Sequence, residues 1–147
     1  MFMSAPEESV EEEARRLIVE LRILESTAEY LQSRINFVNA ALTELNLASM
    51  SLEGIEKKDS DMIFVPIGGG SYIKARLEDT DRIVYGIGAG VAIEKTIKEA
   101  KEDIANRIAE LNRAKVSLEQ QLSQVLAKLQ EDQARLQEIT ASLRRQR

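Results

Sequence analysis

Cysteine, histidine and tryptophan are absent from the 147 residues, and phenylalanine and tyrosine number three each. Without cysteine there is no disulfide, no thiolate nucleophile and none of the usual structural zinc sites. Without histidine the commonest general base and the commonest metal ligand are gone, leaving an enzyme only carboxylate, Lys, Tyr or Ser chemistry. With 4% aromatics, seven Gly and two Pro, a core built on large rings is not expected. Positive charge is outnumbered: the net charge is −5 and the pI about 5.0, so no broad field attracts a phosphate backbone and nucleic-acid binding is not expected. No apolar run approaches the roughly 20 residues of a membrane span. Acidic residues follow directly on Met1-Phe2-Met3-Ser4-Ala5-Pro6, which is no signal peptide, so a cytoplasmic protein without membrane contact is expected.

Leu, Ile, Ala, Glu, Lys and Arg dominate instead, in a chain 44% hydrophobic and 31% charged, which suits one mainly helical domain. From Val10 the apolar residues keep a four-three rhythm through Ala14, Leu17, Leu21, Leu24, Ala28, Leu31, Ile35, Val38, Leu42 and Leu45. That spacing keeps one seam on one side of a supercoiling helix. The rhythm decays through Ser49, Ser51 and Gly54 into the polar stretch Glu56 to Asp61, which reads as a helix end and a solvated loop.

The next segment changes period. Met62-Ile63-Phe64-Val65-Pro66-Ile67, the turn Gly68-Gly69-Gly70-Ser71 and Tyr72-Ile73-Lys74-Ala75-Arg76-Leu77 spell a β-hairpin, and Pro66 places its strand at an edge or a bulge. Ile83, Tyr85 and Ile87 alternate before Gly88-Ala89-Gly90, after which Val91 and Ile93 complete a second hairpin. Thr96 and Glu99 stand in capping-box relation ahead of a second long helix. Its seam runs through Ile97, Ile104, Ile108, Leu111, Lys115, Leu118, Leu122, Val125, Leu129, Asp132, Leu136, Ile139 and Leu143. Lys115 and Asp132 interrupt it, as a snorkelling amine and a register-setting polar residue within reach of Arg16 or Arg22 of the facing helix.

The fold class expected is therefore α+β, mainly α: a long antiparallel two-helix coiled-coil hairpin joined by two short β-hairpins. Within a single domain, residues 1–53 form the first helix, 54–95 the linker and hairpins, and 96–147 the second helix. At about 1.5 Å per residue each arm would reach roughly 60 Å.

Two glycine runs invite a nucleotide reading. Gly86-Ile87-Gly88-Ala89-Gly90 lacks the helix that must follow a dinucleotide loop, and Gly68-Gly69-Gly70-Ser71 lacks the Gly-Lys-Ser/Thr ending of a phosphate loop. Both read as turns. Asp59, Asp61, Glu78, Asp79 and Asp81 lack the order of a calcium loop and read as solvated acids. No catalytic, cofactor or metal site is expected, and no enzyme. The informative surplus lies elsewhere: with Leu17 at heptad position d, Ile18, Val19 and Ile23 fall at e, f and c, where a finished coiled coil carries charge.

The stretches Phe64-Val65-Pro66-Ile67-Gly68-Gly69-Gly70-Ser71-Tyr72-Ile73-Lys74-Ala75 and Ile83-Val84-Tyr85-Gly86-Ile87-Gly88-Ala89-Gly90-Val91-Ala92-Ile93-Glu94-Lys95 resemble the central module of the prefoldin family, in particular its archaeal α-type subunit. The helix, two hairpins and helix order follows that family from end to end. The resemblance implies an ATP-independent holding chaperone in which two α-type and four β-type subunits share a β-barrel platform, capture unfolded polypeptides at the arm tips and pass them to a group II chaperonin. It assigns assembly to the strand residues Ile63, Phe64, Val65, Ile67, Ile73, Ala75, Leu77, Ile83, Tyr85, Ile87, Val91 and Ile93. Tip groups suited to a client are Phe2, Met3, Val10, Leu17, Ile18, Val19, Leu136, Ile139 and Leu143. The alternative is a filament-forming or scaffolding coiled coil that uses the same module without holding clients.

Overall fold

The computed structural model describes residues 8–78 and 81–146. Its elements run α1 (Val10–Glu56), β1 (Met62–Gly68), β2 (Ser71–Arg76), β3 (Arg82–Gly88), β4 (Val91–Thr96) and α2 (Ile97–Arg145). The Glu12 amide donates to Ser9 Oγ at 3.2 Å, capping α1, and Glu11, Glu12 and Glu13 place negative charge where the helix dipole favours it. Ser9 and Glu12 are themselves in S-x-x-E spacing, a start signal legible in the sequence. The Glu99 amide donates to Thr96 Oγ1 at 3.1 Å, so the Thr96 half of the expected capping box forms. Helix α1 does not stop where its rhythm weakens. Small residues carry the seam past Leu45 through Ala48 to Leu52 and Ile55, and Leu52 is buried.

The chain divides into two compact units, residues 1–39 with 114–147, and residues 40–113. In the first, Leu17, Leu31, Ile35 and Val38 of α1 are buried together with Ile139 of α2, as the four-three rhythm requires. Two ion pairs set the direction of packing. Arg135 donates to both oxygens of Glu13, at 2.7 and 3.0 Å, and Lys128 approaches Glu20 at 3.7 Å. Seven residues onward in α1 thus correspond to seven residues backward in α2, an antiparallel pair.

In the second unit each hairpin is its own two-stranded sheet, β1 with β2 and β3 with β4. Both registers shift once, between Pro66 and Gly68 and between Gly86 and Gly88, so Pro66 does sit at a bulge. The turns are alike in backbone: φ is 58° and 74° at Gly69 and Gly70, and 52° and 74° at Ala89 and Gly90, the paired positive values of a type I′ turn. Leu77 lies one residue beyond β2 rather than within it, its amide donating to the Asp61 carbonyl at 2.7 Å. The Ile97 amide does the same to the Asp81 carbonyl at 3.2 Å. The two hairpins are one unit repeated twenty residues on: Asp-x-Ile-x-x-x-Ile-Gly-x-Gly-x-x-Ile begins at Asp61 and again at Asp81. The second contributes Tyr85 and Ile83 to a core in which Tyr85, Leu52, Ile97, Ala100 and Ile104 are buried against Leu45, Ala48, Ile55, Ile83 and Ile108. The Lys95 ammonium and the Arg107 guanidinium lie 4.8 and 5.0 Å from the Tyr85 ring centroid, and Lys95 is ion-paired with Asp103.

Candidate functional site

Exposed apolar residues cluster in both units. In the helical unit, α1 presents Val10, Ile18, Val19 and Ile23 to solvent, the middle two 43% and 56% exposed. Leu17, only 3% exposed, and Ile139, 2% exposed, are instead locked in the seam, and Leu136 and Leu143 are half-buried beside it. The tip group is therefore mixed: some members face water already, while others reach it only if the helix ends fray. Phe2 and Met3 lie outside the described residues. The Glu13–Arg135 bridge ties the start of α1 to the end of α2 and brings these residues together. Its hydrogen bonds from the guanidinium hold the Glu13 carboxyl below its ordinary value of 4.5 and push Arg135 upward.

Among the described residues, the seam buries one ionisable side chain, Asp132. Asp132 is 2% exposed, its Oδ1 lies 3.3 Å from Lys128 Nζ on the same helix, and its Oδ2 is buried without a hydrogen bond. The partner expected from the facing helix, Arg16 or Arg22, is not the one used: Arg16 turns to Glu8 and Glu20 at 3.0 and 3.3 Å. An i,i+4 contact along one helix needs no cross-helix reach, and it wins. Lys115 approaches Glu119 at 3.9 Å with its side chain about one-third exposed, as a snorkelling amine does.

In the hairpin unit, Phe64, Val65, Ile67, Ile73, Ile87, Val91 and Ile93 are exposed, as are Met62, Tyr72 and Val84, which were not among the expected assembly residues. Ile63, Ala75, Leu77 and Ile83 are half-buried and Tyr85 is buried, so these contribute to the chain's own packing. Cross-strand pairing puts Ile63, Val65, Ile73 and Ala75 on one face of the first hairpin and Met62, Phe64 and Tyr72 on the other. In each hairpin one face is mainly apolar while the other mixes apolar and charged residues, Lys74 and Arg76 in the first and Arg82 and Glu94 in the second, and each sheet has only two strands. The glycine runs lie at their turns. β4 follows Gly90 directly, so no helix N-terminus is aimed at a phosphate there. Of the loop acids, Asp61 accepts from Lys58 at 2.5 Å, which lowers its pKa, and Asp79 lies outside the described residues.

A family model described as prefoldin subunit matches residues 24–142, a stretch that takes in both hairpins and most of both helices. The chain belongs to the prefoldin family. Among prefoldins it is similar to the α subunit of Methanopyrus kandleri, 36% identical over 117 residues that span 79% of this chain and 74% of that one. The α subunit of Methanobrevibacter smithii is 34% identical over 116 residues, spanning 79% and 75%. The chain is thus an α-type prefoldin subunit of the archaeal kind, within a family of chaperones. A filamentous prefoldin of Methanocaldococcus jannaschii shares the fold at a TM-score of 0.65 and 22% identity, over 78% of this chain and 96% of that one. The stretch before residue 24, with Val10, Leu17, Ile18 and Val19, lies ahead of the family match. Among the described residues no helix is long and apolar enough to cross a membrane.

Proposed function

We propose that this chain is a subunit of an ATP-independent holding chaperone in the cytoplasm, capturing unfolded polypeptides at the ends of its helix pair and delivering them to a group II chaperonin. The observation that carries the reading is the solvent exposure of Ile18, Val19 and Ile23 on α1, at positions where a self-sufficient coiled coil would carry charge, beside the exposed first seam residue Val10. Each such contact with a client is weak. Several tethered arms engaging one unfolded chain raise the effective concentration for the next contact, so holding is firm while each contact stays reversible. Leu17, Leu136, Ile139 and Leu143 join the surface as the helix ends fray, and Phe2 and Met3 are assigned to the same client-binding group.

Assembly falls to the strands, whose exposed Phe64, Val65, Ile67, Ile73, Ile87, Val91 and Ile93 would be covered by β-type subunits in a hexamer of two α and four β chains. The test mixes the full chain with a β-type subunit and measures particle size together with aggregation of an unfolding protein. A discrete hexamer that suppresses aggregation is expected, and deleting residues 1–20 with the last dozen should abolish suppression while leaving the hexamer. Undiminished suppression by the truncated hexamer overturns the tip assignment. An open-ended ladder of sizes without suppression would establish the filament or scaffold instead.

A further inference from the structure

Asp132 breaks the α2 seam at one place, and its surroundings give that break a use. The residue is more deeply buried than Leu129 and Leu136, its seam neighbours on either side. Two cross-helix bridges bracket it: Lys128 with Glu20 one turn before it, and Arg135 with Glu13 one turn nearer the helix end. Interpolating between the bridges sets Asp132 opposite Arg16 and Leu17 of α1. Leu17 has no polar side-chain atom and Arg16 is engaged by Glu8 and Glu20, so α1 offers the orphaned Oδ2 no hydrogen bond. The cation beside Oδ1, Lys128, is shared with Glu20 and Glu131 at 3.7 Å each.

Opening of the pair from its helix ends therefore has a natural stopping point. An apolar seam loses burial with every turn that opens. When opening reaches Asp132, an oxygen that had no partner gains water, which offsets part of that loss. One turn further nothing more is recovered: Lys128 would have to leave Glu20, and Leu129 and Val125 would lose their cover. We infer that Asp132 is the positioning residue of the client surface, setting the inner limit of a segment that opens as one unit, residues 10–17 of α1 with 132–145 of α2. Among the described residues, the ion pair that joins the helices within this segment is Glu13–Arg135. The seam residues it releases are Leu17, Leu136, Ile139 and Leu143. Their use in capture rests on the proposed holding function; the opening itself does not. Lys115, the other polar residue of the α2 seam, marks no such limit, because its side chain is about one-third exposed and already meets water.

Hydrogen exchange of the full chain, resolved by mass spectrometry, reads the opening directly. Asp132→Leu should slow exchange of the amides of residues 133–145 by about tenfold or more, while those of residues 118–129 stay within about twofold of the parent chain. Asp132→Asn, which keeps a polar group in the seam, should fall between the parent and the leucine variant. Lys115→Leu should leave residues 133–145 unchanged. Unaltered or faster exchange over 133–145 in Asp132→Leu overturns the inference. Equal slowing there by Lys115→Leu does the same, since it would report general stability rather than a local limit. Aggregation suppression by the same variants, assembled with a β-type subunit, reads the use separately and should fall in Asp132→Leu as opening slows. Slowed exchange with undiminished suppression would establish the opening segment and remove Leu136 and Ile139 from the client surface.

Discussion

A single carboxylate in an otherwise apolar seam costs stability unless its partners repay the water it loses. Asp132 has one ionic contact, to Lys128, and one oxygen with no hydrogen bond at all. Replacing a buried, under-satisfied charge by an apolar side chain of similar size is commonly stabilising by about 1–4 kcal/mol. Asp132→Leu should therefore raise the thermal midpoint of the chain, and Asp132→Asn should fall between the two, read by circular dichroism melting. A lower midpoint for the leucine variant would overturn the reading of Asp132 as an under-satisfied buried charge. The residue was visible in the sequence as a break in the four-three rhythm, because periodicity reports position. Its partner was not, because Arg16, Arg22 and Lys128 are all within nominal reach and only side-chain geometry separates them. Ala89 shows the same limit. Its neighbours spell a turn, yet that it holds φ of 52° follows from the register shift at Gly88 and not from its own identity.

Helices and hairpins were far more legible, for the physical reason that period is a property of many residues at once. Both seams follow from their spacing, and the hairpins from alternation and turn glycines. The extension of α1 to Glu56 was obscured because Ala48 and Gly54 carry little apolar signal, although Leu52 and Ile55 continue the seam. The hairpin repeat is faint in the sequence because its shared positions are thinly spread, and because Pro66 in one copy is matched by Gly86 in the other. At this scale the Glu13–Arg135 bridge makes a pH-dependent prediction. The guanidinium lowers the Glu13 pKa in the folded chain, so the bridge stabilises fully above the ordinary value of 4.5 and its contribution is lost as pH falls through the lowered value. The thermal midpoint of Glu13→Gln should lie below that of the parent chain at pH 7, and the gap should close on acidification. A gap that persists after Glu13 is protonated would assign the effect to packing rather than charge.

For the molecule as a whole, the sequence-level signals of what lies inside the chain and what lies between chains differ. The intrachain core follows from the seams. The hairpin faces read equally well as a core or as an interface, because alternation says only that alternate side chains share a face; in the fold Phe64 is 66% and Val84 75% exposed. That exposure makes a clean experiment. Among the described residues Phe64 and Val84 are far from buried, so Phe64→Asp with Val84→Asp removes little packing from the isolated chain. Its helix content and melting should stay near those of the parent. In a subunit interface the same change forfeits about 1.5–3 kcal/mol for a buried Phe or Val and adds the desolvation of two carboxylates. Each 1.4 kcal/mol is about tenfold in affinity, so assembly with a β-type subunit should weaken by about a hundredfold or more, measured by sedimentation. Full-strength assembly by the double variant would remove these strand faces from the interface and leave only the unpaired strand edges, whose backbone donors and acceptors no side-chain substitution erases.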